Sequence, residues 1–308
     1  MNRYTEMLLR QHPVRLKAQE KERFRTWLVG ALGGMGYAAA LQSKDALLAF
    51  GGNVTNVVAG DPEQARLILT ARYDTPVRSI LPPLIAPTRP VTYVLYQALT
   101  PVLAMLASFF VSFAATFAVS APHLTLPMFL LLLALGIAYL RFGPAETANL
   151  CDNTSGVAAL LETAAALTPR YRGEVAFVFV DGMGGAKNLR VRCPSTREKT
   201  VIDVSCLARG DEILLLPSKY SRWNEEVLDA LLTSFENTEK KTCFLKTNGL
   251  TYMPSANRAF RYSFAVCAVE KVKGFGRVIL PRRARTLDEE NLEVVRRGLC
   301  ALIAKYQA

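Results

Sequence analysis

Histidine is almost missing from this chain: 2 residues in 308, His12 and His123. His12 precedes the first expected helix and His123 falls inside a long apolar run, so neither can activate a nucleophile in the polar part of the chain. Ser155, Ser205, Cys151 and Cys206 therefore lack the base that serine or cysteine catalysis needs. The 6 cysteines contain no C-x-x-C pair, which argues against a zinc knuckle or a disulfide frame and suits reduced intracellular thiols. The opening "MNRYTEMLLRQHPVRLKAQEKERF" has no apolar core of signal-peptide type. Internal repeats, low-complexity linkers, and helix-turn-helix, RNA-binding or zinc-finger signatures are also lacking. The net charge of +11 is spread thinly, with small clusters such as "PRRAR", so no specific nucleic-acid partner is expected.

The longest absence is of charge. Between Arg89 and Arg141 there is no Asp, Glu, Lys or Arg. At roughly 20 apolar residues per bilayer crossing, this run suits two helices, residues 94–119 and 126–141, joined by "SAPHLTLP". The expectation is a transmembrane hairpin at 90–142, with membrane lipid as its partner. A hairpin returns the chain to the side it left, so 1–89 and 143–308 can form one domain. The flanking arginines and the uncharged turn place that domain on the cytoplasmic side of a multi-pass plasma-membrane protein. A basic domain there would lie against anionic lipid.

What is present in the polar part is an alternation of helices and strands. "PVRLKAQEKERFRTWLVGALGGMGY" predicts an amphipathic helix, "NVVAG" and "ARLILTARYD" strands, and "DNTSGVAALLETAAAL" a capped helix. "GEVAFVFVD", "KTVIDVSCLA", "EILLLP", "YSFAVCAVEK" and "GRVILP" predict further strands. "SRWNEEVLDALLTSFENT" and "LDEENLEVVRRGLCALIAKY" predict two more helices, the second opened by Asp288, Glu289 and Glu290 at the positive end of its dipole. Uniformly apolar strands between helices predict an α/β fold with a mostly parallel sheet covered on both faces. Function in such a sheet sits in loops past the strand carboxyl ends. Three stand out: "RYDT", "NLCDNTSG" and "VDGMGGAKN". The last lacks the third glycine of a dinucleotide fingerprint, where Lys187 stands, and the ending of a P-loop.

The order of these segments resembles the di-zinc aminopeptidase family, the zinc exopeptidases of the bacterial leucyl aminopeptidase and glutamate carboxypeptidase type. "DNTSG" with its helix and "VIDVSCLARGDEILLLP" carry the resemblance best. It implies a three-layer sandwich with a mixed, mostly parallel sheet, here with the hairpin inserted as in a membrane-anchored bacterial subgroup. It also implies an aspartate bridging two zinc ions and a glutamate as general base. Checked position by position, most of that set is lost. Arg72, a permanent cation, stands at the first histidine position, although Asp74, which would orient that histidine, is kept. Asp152, the bridging position, is kept with Asn153. Met183 and Gly184 replace the Glu-Glu pair, Ser205 the later aspartate, and Leu280 the second histidine. The expectation is a pseudoenzyme with no zinc, in which Arg72 pairs with Asp152 or Asp74 in place of the metal. Its role would be as a scaffold, or as a binder of a peptide or a paralogous peptidase. The alternative is an active metallopeptidase with a non-standard zinc site.

Overall fold

A computed structural model of the protein describes residues 3–44, 54–79, 83–147, 149–281, 284 and 286–306. The side chains of Lys44, Arg141 and Asp152, and most of the "PRRAR" cluster, lie outside that description. In chain order the principal elements are α1 (Arg3–Gln11), α2 (Ala18–Gly34), β1 (Ala39–Lys44), β2 (Val54–Ala59), β3 (Leu67–Arg72), α3 (Pro90–Ala118) and α4 (Thr125–Phe142). They continue with α5 (Ser155–Ala166), β4 (Val175–Val180), α6 (Gly182–Arg192), β5 (Thr200–Val204), β6 (Glu212–Pro217) and α7 (Glu225–Ser234). β7 (Thr242–Leu245), β8 (Ser263–Val272), β9 (Gly276–Val278) and α8 (Glu289–Lys305) complete them.

The strands form one mixed sheet in the order β1-β2-β4-β3-β5-β8-β6-β7, with β9 added to β8. The four central strands β4, β3, β5 and β8 are parallel neighbours, and antiparallel pairings join β1, β2 and β6 to them. Both faces are covered, which is why β4 is buried at every position and could afford "VAFVFV". Side-chain alternation divides β3 between the layers. Leu67, Leu69 and Ala71 join α1, α2, α5, α7 and α8 in the large cluster, whereas Ile68 packs on the opposite face with Ala186 and Leu189 of α6. Thr70 and Arg72 share that second face.

α5 packs against the sheet because its residues are small. A Cβ at Gly156 would lie 2.1 Å from the carbonyl oxygen of Val204, so the glycine of "DNTSG" is required for close approach of helix and strand. A π-helical turn, Leu150–Thr154, precedes α5, and the helix proper begins at Ser155, within one residue of the start at about 154 expected from the sequence. α8 starts as expected: the Asp288 side chain accepts from the backbone N–H of Glu290 and Asn291.

Five elements differ from the sequence reading. "GMGGAKN" is no loop but the start of α6, entered through Gly182 at φ 61°. A Cβ at Gly185 would meet Asn56 Oδ1 at 2.3 Å, so these glycines serve close packing of α6 on β2 rather than phosphate binding. α1, β1 and β7 were not expected at all. "GRVILP" contributes only three strand residues before a single bridge, Ile85 to Ile279.

The apolar run forms two helices, Pro90–Ala118 and Thr125–Phe142, four residues earlier at the start than expected. Both are long and apolar enough to cross a membrane, and they project almost wholly clear of the sheet domain. Several of their hydroxyls are bonded within the hairpin. Ser112 donates to the carbonyl of Ser108 (2.7 Å), and the Thr116 and Thr125 hydroxyls bond across the hairpin at 2.6 Å. The outward face is mainly apolar, with Phe110, Leu130 and Ile137 exposed, although Gln97 is exposed as well. The two chain crossings are stitched together: Arg78 N–H donates to Pro144 O and Glu146 N–H to Pro76 O, each at 2.9 Å.

Candidate functional site

The carboxyl ends of β3, β4 and β5 bring three of the sequence-predicted segments together. Past β3, Arg72 Nη2 and Nε donate to the two carboxylate oxygens of Asp74 at 2.9 and 3.2 Å, a bidentate pair with both side chains less than one-fifth exposed. Burial pushes the Asp74 carboxyl up, but the charge and hydrogen bonds of Arg72, with Lys21 beyond, outweigh it and hold the group below the usual range. Asn153 reaches across from the turn before α5 and donates its Nδ2 to the Asp74 carbonyl. From β4, Gly182 lies against Asp74: a Cβ there would sit 3.4 Å from Oδ2.

The other expected positions are placed as follows. Met183 is half-buried and Gly184 exposed on the first turn of α6, the latter against Val54. Ser205 immediately follows β5; it is buried and its hydroxyl has no partner, as is true of Asn153 Oδ1. The next residue, Cys206, is buried in the left-handed backbone region at φ 57°, a conformation that costs a residue with a Cβ about 1–2 kcal/mol. Leu280 lies in an apolar cluster with Leu84, Ala86 and Val278. The side chain of Asp152 lies outside the described residues.

Several polar residues at this end of the sheet were not anticipated. Asp181, at the end of β4, accepts from Lys21 Nζ at 2.5 Å, with Arg25 Nη1 at 3.9 Å. Arg25 also donates to the Tyr73 hydroxyl (3.2 Å), which in turn donates to Thr55 O (2.7 Å). Arg15 is fully buried, with Nε on Tyr73 O (2.5 Å), Nη2 on Thr154 Oγ1 (2.8 Å) and Nη1 on His12 O. Burial lowers its guanidinium to about 10, so it remains a cation at neutral pH. Lys21 and Arg25 carry an i, i+4 signal on α2 that sequence reading could have used; Arg15 carries none.

A second buried acid lies one layer below. Asp203 of β5 accepts from Thr70 Oγ1 (2.7 Å) and Ala256 N–H (3.2 Å), and burial raises its carboxyl above the usual range.

The donor chemistry does not fit a zinc pair. Zinc takes imidazole, thiolate or carboxylate. At four of the five positions that the resemblance assigns to ligands stand a guanidinium, a thioether or glycine, a hydroxyl and an isobutyl group. Among the described residues no group of three or more His, Cys, Asp or Glu could hold a metal ion.

No protein-family model and no curated protein matches the sequence. Solved structures match the fold along nearly the whole chain. A Porphyromonas gingivalis glutaminyl cyclase has a TM-score of 0.58 and 13% identity, covering 99% of this chain and 97% of its own. A zinc-dependent exopeptidase from Parabacteroides distasonis gives 0.57 and 12%, covering 97% and 95%. A leucine aminopeptidase precursor from Bacteroides thetaiotaomicron gives 0.54 and 11%, covering 94% and 90%. The α/β sheet domain therefore has the fold shared by zinc exopeptidases and glutaminyl cyclases.

Proposed function

We propose that this chain is a membrane-anchored pseudoenzyme on a zinc-exopeptidase-like fold, with α3 and α4 as the bilayer anchor and the altered cleft used to bind a peptide or partner chain. The observation that carries this reading is the bidentate Arg72–Asp74 pair, a cation seated at a position where the fold's zinc enzymes would place a metal ligand. The unpartnered Asn153 Oδ1 and Ser205 hydroxyl support a remaining polar cleft, because buried polar atoms in native proteins are normally satisfied. The positive-inside bias favours the cytoplasmic face of a bacterial plasma membrane for the sheet domain.

The test is elemental analysis of the detergent-purified full chain after zinc and cobalt add-back, run beside hydrolysis of aminoacyl substrates and cyclisation of peptides with N-terminal glutamine. Background metal and no turnover are expected. Two zinc ions per chain with chelator-sensitive turnover would overturn the reading and favour the non-standard metallopeptidase.

A further inference from the structure

Away from the altered cleft, a cavity of about 490 Å³ opens between the end of β6 and the 250–261 segment. Among the described residues four cations line it, Lys219, Arg222, Arg258 and Arg261, and no acidic residue does. None of the four makes an ion pair. Arg222 is a strut, its guanidinium bonded to Gly249 O (2.8 Å) and Thr251 Oγ1 (2.7 Å). Arg258 and Arg261 are exposed but pre-oriented. Arg258 lies over the Tyr252 ring (4.5 Å) and donates to a tyrosine hydroxyl, while Arg261 lies over Tyr220 (4.8 Å) and Tyr262 (5.2 Å). Stacking fixes their direction and leaves most of their N–H donors free.

The cavity is fastened to the root of the apolar hairpin. Tyr252 stacks on Tyr93, in the first turn of α3, with centroids 5.0 Å apart, and its N–H donates to Pro87 O (2.9 Å). Leu250, which also lines the cavity, is 75% exposed, and Trp223, the residue after Arg222, is 84% exposed; exposed aromatics of that kind sit at the headgroup level of a bilayer.

We propose that this cavity binds the phosphoryl headgroup of an anionic phospholipid. Guanidinium forks match the phosphodiester oxygens, and the exposed Leu250 at the cavity wall meets the glycerol and upper acyl region. The assignment rests on the hairpin as a bilayer anchor, and the lack of any acidic lining residue separates it from a site for a cationic ligand.

The test uses the full chain in neutral detergent, titrated with dihexanoylphosphatidylglycerol, dihexanoylphosphatidylcholine and inorganic phosphate and followed by tryptophan fluorescence and calorimetry. Saturable binding of the phosphatidylglycerol is expected, weakened roughly 10- to 30-fold in an Arg258→Gln/Arg261→Gln variant, the weight of two headgroup-facing cations. Both side chains are exposed, and unchanged circular dichroism verifies folding. Equal binding of phosphatidylcholine, or an unaffected double variant, would overturn the site. Inorganic phosphate binding as tightly as the phosphatidylglycerol would overturn the lipid assignment. These probes are water-soluble, so a failed titration on protein that resists alkaline carbonate extraction from membranes condemns the cavity alone, whereas extraction by carbonate condemns the anchor.

Discussion

Removing the Arg72 guanidinium is the sharpest perturbation of the candidate site. In an Arg72→Met variant the Asp74 carboxylate keeps its burial, at 17% exposure, but loses both hydrogen bonds from the guanidinium. Removing one partner of a buried pair costs about 3–5 kcal/mol. Here Lys21 continues to favour the charge, and both side chains retain some solvent, so about 2–3 kcal/mol is expected. In a domain of this size that lowers Tm by roughly 5–10 °C. An Arg72→Met/Asp74→Asn double variant should recover most of the loss, giving a coupling energy of about 2 kcal/mol in the cycle. The pH dependence has a definite sign. A carboxyl held low in the folded state contributes stability that is present above its unfolded value, about 3.9, and is lost as pH falls through its lower folded value. In the single variant, burial is less strongly opposed and the carboxyl rises. The penalty is then largest at neutral pH and shrinks on acidification toward pH 4. Differential scanning calorimetry between pH 4 and 7.5 reads both effects. A Tm within about 2 °C of the parent at pH 7, or a deficit that ignores pH, would refute the assignment of Arg72 as the counter-charge of Asp74.

Asp203 gives a prediction of opposite sign. Its carboxyl is raised by burial, so the folded state binds more protons than the unfolded state above about pH 3.9, and stability falls as pH rises toward the folded value. Asp203→Asn should flatten that slope in denaturant titrations across pH 4–8; an unchanged slope would contradict the burial argument. For the hairpin, replacement of 90–142 by about ten Gly/Ser residues should give a folded domain that no longer sediments with membranes, because a flexible linker of that length reaches about 15–20 Å. A product that aggregates without native circular dichroism would show that α3 and α4 are needed to build the domain.

The sheet's centre was legible because its strands answer to one physical demand. "LILTA" and "VAFVFV" are apolar at almost every position only because both faces are covered, and that pattern survives without any partner being known. β1 escaped notice because it is the edge strand of its side, where "AALQSK" alternates with solvent and mixes polar residues into a short run. α6 was hidden by its glycines, which read as a loop until their close approach to Asn56 is seen. At the site, Arg72 and Asp74 were readable as a pair two residues apart on one strand end. Lys21 and Arg15 were not, since only the folded chain carries them to residues well over 50 positions away at Asp181 and Tyr73.

The place at which the hairpin interrupts the chain also governs the order of assembly. β3 precedes α3, yet its sheet neighbours β4 and β5 both follow α4, and β2 likewise waits for β4. The first half of the sheet therefore has no interior partner while the ribosome makes the two apolar helices. Completion of β5 comes about 130 residues after β3, roughly 7–26 s at ordinary elongation rates. Until β4 follows, "LILTA" lacks both of its interior sheet neighbours, and α3 and α4 precede them in the chain. On the proposed anchor reading, insertion of α3 and α4 precedes closure of the sheet, and slower insertion lengthens the time for which a sticky strand stands exposed.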